Sequence, residues 1–452
     1  RSLLDCACQF YGVASQTHLN KIEKIKNKCL RLGVGYLSST PINVIEAENA
    51  EPPLSLRRNY LSDKLVIKLI GKNSKISQKS QIHKLFIYSL THRYWRVKRM
   101  PLLVNSYLWI THYKDIIYSS SIMPYFQISE SIIENKIKII IKEYKTTNSL
   151  MLKQLILEDI NENWSECEHI FTDGSIINNR TGCAFYHKNL NYKKKIRLIN
   201  NTSIFTAELW AIFQALQYCL ELDSNQEIVI FTDSKSSLQA LKNWFQTSTA
   251  NYVIRNVLNT YCELKNQQKE ISFVWVKAHV NISGNEIVDK LAKEATFNEA
   301  IENSIYIPHT DIFRLAKEKL TVQWQKMFDQ DNKGLYYKWS FPKIWKSPWF
   351  YKEYNRPFVR VMSRIRCNHA LYPLHQHKIG LKENEFCLCG EKGDMNHHIL
   401  GCINHIRHVN KLYQSLQNKI DFPFNVRTLI ISNSIEVYKI LYCYILDCKI
   451  KL

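Results

Sequence analysis

The spacing of hydrophobic positions changes along this chain. Near the start, Leu19, Ile22, Ile25, Cys29 and Leu32 recur among lysines at helical intervals, which predicts an amphipathic helix. Turns follow at Ser38-Ser39-Thr40-Pro41 and Glu51-Pro52-Pro53, and then a second helix with Arg57, Arg58 and Lys64 on its polar side. Residues 71–165 are rich in Lys, Ile and Tyr without a repeat, and read as a connector with some helix. From His169 short apolar runs alternate with longer amphipathic ones. Residues 169–172, 182–186, 194–198, 227–232 and 271–276 read as strands. Residues 205–222, with Leu209, Ile212, Phe213, Leu216 and Leu220 on one stripe, read as a helix. So do 234–244, the stretch through Val253, Val257, Tyr261 and Leu264, and 284–296. The order predicts an α/β domain, a five-stranded mixed sheet with flanking helices, between mainly helical N- and C-terminal segments.

Composition adds a partner. Sixty-one Lys and Arg against 40 Asp and Glu give a net charge of +21, a surface that attracts polyanions such as nucleic acid. At 45% hydrophobic and 22% charged residues, a packed core is expected and wholesale disorder is excluded. Thirteen cysteines, odd in number and scattered, do not make a secreted disulfide framework. The expectation is an intracellular protein of cytoplasm or nucleus, not secreted. No run reaches the ~20 apolar residues of a membrane span. The most apolar tail, 435–452, is broken by Glu436, Lys439 and Asp447. A start at Arg1 rather than Met suggests a piece of something longer.

Four acids sit at informative places. Asp173 follows the first strand, in Thr172-Asp173-Gly174-Ser175; Glu208 lies early in the first helix, in Thr206-Ala207-Glu208; Asp233 ends the fourth strand, in Thr232-Asp233-Ser234; and Asp289 opens the last helix. Singly, each reads as a turn former, a helix cap or a solvated acid. Carboxylates gathered at one sheet edge repel, and a cation relieves that repulsion. Oxygen-only ligands suit Mg²⁺, and two such ions can stabilise both the attacking and leaving oxygens of a phosphoryl displacement.

These motifs, with His279 leading through Gly284-Asn285-Glu286 to Asp289, resemble in sequence order those of the type 1 ribonuclease H family. The resemblance implies an endonuclease that cuts the RNA strand of RNA–DNA hybrids, leaving a 3′-hydroxyl and a 5′-phosphate. It implies that Asp173, Glu208, Asp233 and Asp289 bind two Mg²⁺ ions, with Mn²⁺ as an alternative and Asp173 as the bridge. His279 falls where the family has its loop histidine, and could shuttle protons or help product leave. Lys277 and Asn281 depart from the family's usual loop residues and bear on that loop's dynamics. Ser175, Asn178, Thr206, Ser234 and Ser237 are candidate contacts to the RNA ribose, with ordinary capping and turn chemistry as the competing reading. A different outcome is a catalytically decayed relic that only binds nucleic acid.

The flanks suggest a setting. Residues 22–32, Ser39-Thr40-Pro41, and Glu48 to Leu54 followed by Arg57-Arg58 resemble the thumb-like end of a non-LTR (LINE-like) retrotransposon reverse transcriptase, without its Asp-Asp polymerase motif. Cys387, Cys389, His397 and Cys402 have a structural-zinc composition, with a tighter first pair than usual; His398 could replace His397. Free thiols in a small loop are the competing reading. Similar tails follow the ribonuclease H block in these elements. The expected division is a reverse-transcriptase remnant at 1–70, a connector at 71–165, the ribonuclease H domain at 166–298, and a basic, aromatic helical region at 299–452 that carries the cluster. RNA–DNA hybrid is the expected partner, with no membrane and no identified protein partner.

Overall fold

The computed structural model describes residues 2–71, 77–113, 117, 137–144, 148–224, 226–244, 251–302, 306–353 and 355–452. The chain forms two compact units. One comprises Ser62–Lys317, and the other joins Arg1–Leu61 with Glu318–Leu452.

The first unit is built on six strands: β1 (Lys138–Ile140), β2 (Glu168–Ile177), β3 (Arg180–His187), β4 (Tyr192–Leu198), β5 (Ile228–Thr232) and β6 (Ile271–Trp275). They lie in the order β1-β6-β5-β2-β3-β4. The first four in that order are parallel neighbours, while β3 and β4 are antiparallel additions. Five of the six are the expected strands. The extra one, β1, comes from the segment read as a connector. There Ile137, Ile139 and Ile141 join the core on one sheet face and Ile140 joins the other. That is a two-residue period, hidden in sequence by the intervening lysines.

Helices cover both faces: α1 (Ser149–Trp164), α2 (Ile204–Glu221), α3 (Lys235–Lys242), α4 (Tyr252–Asn266) and α5 (Ser283–Ala295). In β5, Ile228 and Ile230 pack toward α2 and α4, while Val229 and Phe231 pack toward α1 and α5. A strand buried on both sides has no polar position to spare, which explains its uninterrupted apolar run. Gly284 marks the close approach of α5 to β2. A Cβ there would lie 2.3–2.5 Å from the Phe171 ring.

The second unit draws Val34, Tyr36, Val44 and Ile45 into one core with residues from Phe328 to Leu452. At its centre is a fully buried ion pair. Arg366 Nε donates to Glu48 Oε1 at 2.6 Å and Arg366 Nη2 to Oε2 at 3.2 Å. Tyr337 Oη and Trp349 Nε1 also donate to this carboxylate, each at 2.6 Å, and the guanidinium lies over the Phe341 ring at 4.1 Å. With its lone pairs occupied, Glu48 ties segments that lie before and after the first unit in the sequence into one folded body. The expected helix over 16–34 is present, but Ile25 and Leu32 are exposed (57% and 64%) while Lys26 is buried. The inward face is set by Lys26, which pairs with Glu46 and, at 2.5 Å, with Glu23.

Removing one partner of the Glu48–Arg366 pair leaves a buried charge unmatched. Arg366→Met should therefore destabilise this unit by about 3–5 kcal/mol. Urea unfolding followed by tryptophan fluorescence should show an earlier transition than in the parent protein.

Candidate active site

The site forms where parallel pairing between β2 and β5 stops. Thr172 pairs with Thr232, the last matched positions of the two strands. Beyond them β5 turns away at Asp233, while β2 continues against β3 with Asp173 opposite Ala184. Asp173 thus lies inside a longer strand than expected, rather than in a loop after it. The register alone makes Asp173 and Asp233 neighbours at one edge.

Glu208 arrives from α2. That helix starts at the Ser203 cap, whose Oγ accepts from Thr206 N at 3.2 Å. Buried Asp311 reinforces the start, accepting from Ser203 N at 2.7 Å and from the Thr206 hydroxyl at 3.2 Å. At Gly174 a Cβ would meet Glu208 N at 2.8 Å and Ala207 Cβ at 2.9 Å. The missing side chain lets the helix settle against β2 and brings Glu208 to Asp173.

Asp173, Glu208 and Asp233 present oxygens that all lie within 4.8 Å of one another. Asp173 and Glu208 are buried, and Glu208 Oε2 has no hydrogen-bond partner. Burial, then repulsion from Asp233 and Asp289, pushes the Asp173 carboxyl up. Burial, then Asp173 and Asp233, does the same to Glu208. Asp233 is raised mainly by burial, with Asn285 and His279 opposing the shift. Three clustered carboxylates, one of them with a buried, unpartnered oxygen, are a donor set suited to a hard divalent cation such as Mg²⁺.

The other expected site residues divide. Asp289 lies in the second turn of α5 rather than at its opening, outside the close trio, with Lys293 Nζ donating to it at 2.6 Å. It still acts electrostatically on Asp173 and Asp233. His279 is exposed and has a left-handed backbone (φ 57°), as does Asn281 (φ 59°). Asn tolerates that conformation, so the departure from the family's loop residues preserves a sharp turn. Asn178 is exposed in the β2–β3 turn. Thr206 is fully buried, its hydroxyl engaged by Asp311 and by Asn251 Nδ2 at 2.9 Å, so it holds the helix start instead of facing a ligand. Ser237 is likewise buried, sharing a 2.8 Å hydrogen bond with Ser234 at the head of α3. Ser175 is buried too.

Two positioning residues escaped the sequence reading. Asn285 Nδ2 donates to Asp233 Oδ2 at 3.5 Å, and its own Oδ1 is buried and unpartnered. Trp275 Nε1 donates to the Asp233 carbonyl at 3.0 Å. Asn285 shares a helix face with Asp289 at i+4, a signal that was available.

In the other unit, Cys387, Cys389, His397 and Cys402 also bring their ligand atoms within 4.8 Å of one another. The Cys387 and Cys402 sulfurs are 3.7 Å apart, and Cys389 Sγ is 3.2 Å from His397 Nε2. Tetrahedral zinc with bonds of ~2.3 Å to sulfur implies sulfur–sulfur separations of about 3.8 Å, so the donor set fits. His397, not His398, belongs to the cluster. A tight reversal at Gly390 (φ 90°), closed by Cys387 N–H to the Glu391 carbonyl at 2.8 Å, accommodates the short Cys-x-Cys spacing. All thirteen cysteines are free thiols. No helix among the described residues is long and apolar enough to cross a membrane.

Two metal tests follow. A carboxyl raised on folding stabilises the protein while protonated, so the metal-free protein should lose stability as pH climbs from about 4 through the raised values. Mg²⁺ should flatten that slope, and Glu208→Gln should both raise the metal-free melting temperature at pH 8 and abolish the Mg²⁺ effect. Separately, the purified protein should hold one zinc by elemental analysis, and Cys402→Ser should lose it.

Residues 165–297 match the family described as RNase H. Among solved structures, the chain is similar to the foamy viral protease-reverse transcriptase in complex with dsDNA, at 18% identity and TM-score 0.25, over 29% of this chain and 95% of that one. The N-terminal RNase H domain of rv2228c from Mycobacterium tuberculosis, solved as a fusion with maltose binding protein, matches at 17% identity and TM-score 0.24, over 28% and 94%. RNase H1 from the halophilic archaeon Halobacterium salinarum NRC-1 matches at 20% identity and TM-score 0.23, over 28% and 96%. Residues 165–297 are an RNase H domain.

Proposed function

We propose that this domain hydrolyses the RNA strand of RNA–DNA hybrids endonucleolytically, in the manner of a type 1 ribonuclease H. The observation that carries the reading is the convergence of Asp173, Glu208 and Asp233 around a buried, unpartnered carboxylate oxygen. Asp173, Glu208, Asp233 and Asp289 would hold two Mg²⁺ ions, which supply an activated water and neutralise charge on the scissile phosphate. By the family resemblance Asp173 would be the ligand common to both ions, and the electrostatic influence of both Asp233 and Asp289 on its carboxyl supports that reading. Asn285 and Trp275 fix Asp233 from its carboxylate and its carbonyl. Lys293 holds Asp289 and would release it as metal binds.

His279, exposed and close enough to influence the Asp233 carboxyl, carries a proton toward the leaving 3′ oxygen or helps product depart. Asn178 is the surviving candidate for a ribose contact. The retroelement setting is a further part of this reading. It is supported by the sequence likeness of residues 22–58 to the end of a LINE-like reverse transcriptase and by the Cys/His cluster in the same unit.

Labelled RNA–DNA, RNA–RNA and DNA–DNA duplexes with Mg²⁺ test the proposal. Cutting should be confined to the RNA of the hybrid and leave 3′-hydroxyl ends. Asp233→Asn should abolish it in a folded protein. His279→Ala should lower kcat about ten- to a hundredfold with little change in KM, and Asn285→Ala should lower kcat while weakening the Mg²⁺ dependence. A folded protein that binds hybrid but leaves it uncut overturns the catalytic reading.

A further inference from the structure

The positive charge of this protein lies outside its nuclease domain. Residues 165–297 carry 14 Lys and Arg against 13 Asp and Glu, whereas Arg1–Leu61 with Glu318–Leu452 carries 29 against 16. A domain so close to neutral draws polyanions weakly. The electrostatic attraction of the chain for nucleic acid therefore falls largely on the rest, and the unit with the Cys/His cluster contains a cleft whose chemistry suits it.

That cleft has a volume of about 330 Å³. Aromatic rings of Tyr336, Trp339 and Tyr372 line it. Trp339 is its exposed aromatic: an indole 64% exposed, beside the half-buried Tyr336 and the buried Tyr372. The ring is held in place rather than loose. The Arg427 guanidinium stacks on it, with Cζ 3.2 Å from the ring centroid, and Nη2 donates to the Trp339 carbonyl at 3.0 Å. Tyr336 meets it edge-on at 6.3 Å. Arg427 Nε is buried and has no hydrogen-bond partner. Side-chain amides of Asn368 and Asn396 and the exposed Lys378 complete the wall. Its one acid, Asp394, is already occupied in part, since Oδ1 accepts from His397 N at 2.8 Å.

We infer that this cleft binds single-stranded nucleic acid, with an unpaired base extending the Arg427–Trp339 stack. An exposed aromatic braced by a guanidinium offers a flat face to any base. Amides at hand can meet base edges, and Lys378 with Arg427 can meet phosphates. Such a site needs bases free of a duplex, so it is distinct in substrate from the hybrid-cutting domain and does not depend on the carboxylates there. It gives the chain a grip on an unpaired strand.

The test uses the full, zinc-loaded chain without added Mg²⁺, and fluorescein-labelled mixed-sequence single-stranded RNA and DNA of about twelve nucleotides, near the upper range of single-strand site sizes. A blunt DNA duplex serves as the comparison. Trp339→Ala should weaken single-strand binding by about tenfold or more, with duplex binding and the melting temperature almost unchanged. Trp339→Phe should retain most of the affinity. Lys378→Gln should weaken binding modestly and make log Kd less steep against log salt by about one. The inference is overturned if Trp339→Ala binds single strands as the parent does, or if it loses duplex affinity to the same extent.

Discussion

Three carboxylates cannot share a water-poor corner as anions. At Asp173, Glu208 and Asp233 the backbone leaves them no escape: one is held inside a strand, one is pinned by the end of a parallel pairing, and one is carried in on a capped helix. Either protons or cations must neutralise them, and around neutral pH a divalent cation would do so while gaining oxygen ligands. Much of the surrounding construction serves to enforce this crowding. Gly174 lets the helix close, Asp311 fixes where that helix starts, and Gly284 lets the helix of Asn285 and Asp289 lie against β2. The crowding costs stability at the site, and the same crowding would favour a bound metal there.

The chemistry was more legible in the sequence than its support. Asp173, Glu208 and Asp233 could be found because each sits at the end of a strong local pattern, a buried strand or an amphipathic helix. Their meeting then follows from sheet order. The hydroxyls of Thr206 and Ser237 follow the competing reading, capping and turn chemistry. Thr206 and Ser237 lie beside the acids in sequence, but the first turn of a helix has unsatisfied N–H groups, and short polar side chains there turn inward to networks such as that of Asp311. Proximity in sequence to a clustered acid did not mean exposure beside it.

Long-range partnerships were not legible at all. Glu48 and Arg366 stand 318 residues apart, and each alone reads as a solvated charge. Only the structure shows that segments before and after the sheet-bearing unit in the sequence share one core, so that residues 1–61 belong to one folded body with the Cys/His cluster. Likewise β1 hides a two-residue period in a lysine-rich stretch, and the buried face of the first long helix is chosen by Lys26 and its acidic partners rather than by its isoleucines.

In the proposed reaction the clustered carboxylates would hold metal against the scissile phosphate. The most direct measurement is the cutting rate of a hybrid whose RNA carries one sulfur in place of a non-bridging oxygen at a mapped cut site, in Mg²⁺ and in Mn²⁺. Mg²⁺ binds sulfur poorly while Mn²⁺ accepts softer ligands. The account predicts that one sulfur diastereomer is cut far more slowly than the all-oxygen hybrid in Mg²⁺ and recovers in Mn²⁺. Equal rates for both diastereomers and the all-oxygen hybrid in Mg²⁺ would contradict it.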